Sequence, residues 1–88
     1  MLTGVKEITF PSRIAEFVAY GKSDVKFARA RIVNGHVVEA VDVLKTAQMA
    51  FTLSGNTDLY NEVDSIIRKI HARDFAGAFE IIDRILKP

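Results

Sequence analysis

Hydrophobic and polar positions change period partway along this chain. Up to Val43 they alternate over several short runs, and from Leu44 onward they recur every three or four residues. Val5-Lys6-Glu7-Ile8-Thr9-Phe10 alternates and stops at Pro11-Ser12, the pattern of a short edge strand. The segment from Arg13 to Tyr20 admits two readings. Ile14, Phe17 and Val18 share one face of a helix that starts at Ser12 and ends at Gly21. Alternatively, Phe17-Val18-Ala19-Tyr20 is rich in strand formers, and Gly21-Lys22-Ser23-Asp24 has the composition of a tight turn. The strand is preferred.

Two further alternating runs, Phe27 to Val33 and His36 to Val43, are joined by Asn34-Gly35. Asn-Gly between alternating runs predicts a two-residue type I′ hairpin, because that turn needs φ > 0 twice and these residues tolerate it. The register then places Ala28, Ala30, Ile32, Val37, Val41 and Val43 on a core face, and Phe27, Arg29, Arg31, Val38, Ala40 and Asp42 on the other. Arg29 and Arg31 would point the same way, about 7 Å apart by the strand rise, so that two guanidinium forks grip one anionic group. Phe27 and Tyr20 would add contact area, with Val38 beside them. The plainer reading is that the arginines solvate the sheet, with Asp42 as a cross-strand ion partner.

From Leu44 the period is helical. Leu44, Ala47, Ala50, Phe51 and Ser54 line one side of a helix that Ser54-Gly55-Asn56 ends. Leu59, Val63, Ile66, Ile67 and Ile70 form a second stripe, with Asn56, Thr57 and Asp58 able to cap its start. After His71-Ala72-Arg73-Asp74, a final helix capped by Asp74 carries Phe75, Ala78, Phe79, Ile82, Ile85 and Leu86 on one face. So short a connection predicts an antiparallel helical pair. Asp64 with Arg68, Glu80 with Arg84 and Asp83 with Lys87 stand at i, i+4 on the outer faces. Gly77 within a helix predicts close approach of another backbone.

These elements predict an α+β fold: a three- to four-stranded antiparallel meander packed against two or three C-terminal α-helices. It would be a single domain over residues 1–88, mainly meander over 1–43 and helical over 44–87. With 88 residues the core is thin, burying somewhat over roughly 60% of the unfolded surface. The chain has no cysteine, so no disulfide or thiolate site supplements it, and association into a homo-oligomer, a dimer first, is the natural remedy. Net charge is +1, with six Lys/Arg against five Asp/Glu in residues 1–44 and six against six in residues 45–88, unlike the concentrated basic footprint of a nucleic-acid binder. No apolar run approaches the roughly 20 residues that span a bilayer, and the start lacks a signal-peptide layout. An intracellular, cytoplasmic protein is expected.

Catalytic chemistry finds little footing. His36 reads as a solvated turn residue, and His71 as a group near a helix end, making a capping or interhelical hydrogen bond where positive charge is favoured. Ser12, Ser23, Ser54 and Ser65 lack a nucleophile-elbow context, and Gly21-Lys22-Ser23 lacks the earlier glycine of a P-loop. The expectation is therefore no enzyme, no cofactor and no metal.

The layout itself resembles a known class. The stretch from Ala19-Tyr20-Gly21-Lys22-Ser23 through Val25-Lys26-Phe27-Ala28-Arg29 to Asn34-Gly35 and Ala40-Val41-Asp42, followed by helices, looks like some small phage-encoded inhibitors of bacterial defence, including certain anti-CRISPR proteins. That resemblance implies a stoichiometric binder working in the host cytoplasm. The functional expectation is a small non-enzymatic protein that captures a protein partner or an anionic small ligand through Phe27, Arg29, Arg31, Tyr20 and Val38. The alternatives are nucleic-acid binding by the same sheet, or a structural accessory subunit whose sheet is only a self-association surface.

Overall fold

A computed structural model describes residues 2–88, with side chains from residue 13 onward. The fold is helical throughout: α1 (Leu2–Val33), α2 (Val37–Leu53), α3 (Thr57–His71) and α4 (Phe75–Leu86). Among the described residues there is no strand, so the α+β meander is overturned. Residues 13–20 are helix, and the strand expected over Val5 to Phe10 falls within the bounds of α1, where side chains lie outside the described set.

The hairpin at Asn34-Gly35 is instead a helix-to-helix turn. A type I′ turn needs positive φ at both residues, but Gly35 has φ 81° and the single positive-φ non-glycine among the described residues is Arg73. Gly35 donates to the carbonyl of Ile32 at 3.0 Å and His36 to that of Arg31 at 2.8 Å, the paired bonds of a Schellman stop. The same device recurs twice. Gly55 donates to Thr52 and Asn56 to Phe51 in the second connection, and Arg73 to Ile70 and Asp74 to Lys69 in the third. In each case the last turn residue, His36, Asn56 or Asp74, is already the N-cap of the next helix, so three residues reverse the chain.

Caps strengthen along the chain. His36 makes no side-chain cap bond, whereas the Asn56 side chain accepts from the Leu59 N–H at 3.0 Å and Asp74 from the Gly77 N–H at 2.9 Å. Gly77 follows from this cap: a Cβ there would stand 2.5 Å from the Asp74 carboxylate, so the crowding comes from the helix's own cap and not from another backbone.

Each helix packs on the next, and α4 returns to α1, which closes the four around one apolar core. The α1–α2 side of the core holds small residues, Gly21, Ala28, Ala40, Ala47 and Ala50, together with Val25, Ile32, Leu44 and Phe51. A Cβ on Gly21 would lie 2.4 Å from Cε1 of the fully buried Phe51 ring, so only glycine lets that ring rest against the α1 backbone. The α3–α4 side is built from branched residues: Val63, Ile66, Ile67 and Ile70 against Ile81, Ile82 and Ile85. No helix is long and apolar enough to cross a membrane among the described residues.

Candidate partner-binding surface

Helical geometry separates the residues that a strand would have aligned. Positions two apart on a helix point about 200° apart, so Arg29 and Arg31 diverge. Arg29 turns to α4, where its Nε meets Asp83 at 2.9 Å and its guanidinium lies 5.1 Å from the Phe79 ring centroid. Arg31 turns to α2 and pairs with Glu39 at 3.4 Å. The two-guanidinium fork does not form, and neither arginine pairs with Asp42. Asp83 and Arg84 likewise prefer neighbouring helices to their own: Arg84 reaches Glu62 of α3 at 2.9 Å, while the Asp64–Arg68 pair forms within α3 as the spacing indicates.

Phe27 and Tyr20 do share a side of α1, seven residues or two turns apart, and stay exposed at 60% and 57%. Phe17 meets Tyr20 edge-on, with ring centroids 6.4 Å apart. Val38, 78% exposed, stands apart from them in the first turn of α2. There it lines an open groove of about 470 Å³ with Val37, Val41, Ile70 and Phe75, between the start of α2 and the α3–α4 turn. Lys45, His71 and Arg73 stand on its rim, with Asp42 as the single acid. Arg73 and Phe75 continue past Val37 into a neighbouring hollow with Val33 and Phe79.

Three basic side chains outnumber Asp42 on the rim, and the neighbouring Asp74 is engaged elsewhere. Asp74 is held below the ordinary carboxylate range, first by the Gly77 N–H and then by Lys69, whose Nζ lies 3.4 Å away. Neither Lys45 nor Arg73 has a carboxylate within ion-pair distance among the described residues. Arg73 is fixed at the rim by the third turn, where its φ is 62°. His71, the last residue of α3, is exposed and makes no side-chain hydrogen bond among the described residues, so the capping role expected for it is not taken up. All buried side chains are apolar, and no group of three His or acidic residues is placed to hold a metal among the described residues.

Sequence reasoning missed Val37, Val41, Lys45, Arg73 and Phe75 as one surface, because it put Val37 and Val41 on a strand and Lys45 on a helix that follows it. The signal was present: Ala40, Leu44, Ala47 and Phe51 step by four, three and four, which starts α2 before Leu44 and leaves Val38, Asp42 and Lys45 facing outward. No protein family, curated protein or solved structure matches this chain.

Proposed function

We propose that this protein is a small non-enzymatic binding module that captures a partner protein segment carrying apolar side chains and flanking carboxylates. The observation that carries the reading is the groove at the start of α2, whose valine and phenylalanine walls are rimmed by Lys45, His71 and Arg73. An apolar floor supplies affinity through burial, and a rim with more basic than acidic side chains selects for acid and orients the ligand. The shape suits an amphipathic helix or extended segment better than a small anion, since the walls offer an anion few donors. A sheet-mediated nucleic-acid reading loses its platform among the described residues.

Selection of a displayed random-peptide library on the immobilised protein tests this. Enriched peptides should combine apolar residues with Asp or Glu, and should lose at least about tenfold in affinity to Val41→Asp and several-fold to Arg73→Glu. Peptides without acidic bias, or peptides that bind Val41→Asp as well as the parent protein, would overturn the proposal.

A further inference from the structure

We infer that a second copy of this chain covers the outer face of α1, in an antiparallel helix pair centred between Phe17 and Tyr20. This face is separate from the groove at the start of α2, and the inference stands without that reading.

Two stripes run along α1. The inner one, Val18, Gly21, Val25, Ala28 and Ile32, alternates steps of three and four, and from Gly21 onward it is buried against the bundle. The outer one, Arg13, Phe17, Tyr20, Asp24 and Phe27, alternates four and three with the same seven-residue repeat. Nothing in the chain's own core needs that second repeat. A seven-residue repeat keeps one stripe facing a neighbouring helix along its length, and here Tyr20 and Phe27 are more than half exposed while Phe17 is half buried. The α1 backbone also outruns its neighbour: Gly21 lies opposite Phe51, near the end of α2, so the turns from Arg13 to Tyr20 extend past it toward the Ser54–Asp58 turn.

Charge along the stripe chooses the occupant and its direction. In an antiparallel pair centred between positions 18 and 19, Phe17 faces Tyr20 of the other copy and Arg13 faces Asp24, each contact occurring twice by symmetry. Neither Arg13 nor Asp24 has an ion partner of its own among the described residues. A parallel pair would instead set Arg13 against Arg13 and Asp24 against Asp24.

Sedimentation equilibrium of the full chain, over concentrations from about 1 µM to about 1 mM, reads the association directly. The wild type should pass from monomer to dimer within that span. Tyr20→Lys should weaken association at least about tenfold, with helix content and unfolding midpoint little changed because the side chain is exposed. Arg13→Glu and Asp24→Arg should each weaken it about fivefold, and the double variant should restore it, since the swapped charges meet again only across an antiparallel pair. A wild type that stays monomeric throughout, a dimer indifferent to Tyr20→Lys, or a double variant as weak as the singles would each overturn the inference.

Discussion

The two helical pairs of this bundle dispose of their apolar residues in opposite ways. In α3 and α4 the branched side chains turn inward, and Tyr60 is the one large apolar residue of that half left exposed. In α1 and α2 Gly21 and four alanines share the seam with Val25, Ile32, Leu44 and Phe51, while Tyr20, Phe27, Val33, Val38, Met49 and Leu53 face outward. A seam of small residues brings two helices close and consumes few large side chains, so the large ones remain available on the far side. An 88-residue chain with a thin core gains nothing in folding from such residues on its surface. Exposed large apolar side chains in such number are the material from which partner surfaces are built. The α3–α4 pair puts its large apolar residues into the fold, whereas the α1–α2 pair keeps several on its surface, where the proposed partners would bind.

Substitutions can break that contrast, and the largest effect belongs to the seam. Gly21→Ala should destabilise by about 1–3 kcal/mol in denaturant unfolding, because its Cβ would overlap the enclosed Phe51 ring. In the other half, Arg73→Gly should stabilise by about 1 kcal/mol, since glycine adopts the left-handed conformation without a Cβ penalty. The same substitution should weaken capture of acidic peptides, separating the residue's cost to the fold from its use at the groove.

Two carboxylates sharpen the contrast through pH. Asp74 in the α3–α4 pair has its pKa lowered below the ordinary value of 3.8, so its cap contribution is fully present above that value and is lost as pH falls through the lower folded value. Asp24 on the outer face of α1 has its pKa raised by desolvation, so its charged form is disfavoured and protonation at low pH relieves the cost. Acid unfolding should therefore shift to higher pH in Asp74→Asn, whereas Asp24→Asn should gain stability at neutral pH and none at pH well below 3.8. The smallest effects belong to the outward face: Phe27→Ser and Met49→Ser should each change stability by no more than about 0.5 kcal/mol by thermal unfolding.

The same contrast decides what the sequence discloses. In α3 and α4 one face is apolar and the other charged, so the stripe from Leu59 to Ile70, the cap at Asp74 and the short turn between the helices are legible and present, and Asn56 is the one of three candidates that caps α3. In α1 and α2 both faces carry apolar residues, which blurs the helical period. Arg29 and Arg31 interleaved with Ala28, Ala30 and Ile32 then mimic the alternation of a strand. Gly35 adds to the misreading, because a left-handed glycine serves a hairpin and a helix stop equally well. Its likeness to Gly55, read correctly as a helix end, was the available clue. The exposure of Phe27, Tyr20 and Val38 was legible. The partners that take up Arg29 and Arg31 were not, because Asp83 lies on a helix 54 residues away in sequence and Glu39 was assigned to a strand.

Accessibility of side chains to a water-soluble gadolinium chelate, read by NMR on the dilute monomer, tests the division of labour most directly. Signals of Phe27, Val38, Met49 and Leu53 should be strongly broadened while those of Phe51, Val63, Ile66 and Ile82 stay sharp. Protection of the first group equal to that of the second would mean that the monomer covers its own outer face, and the account of that face as a partner surface would fail.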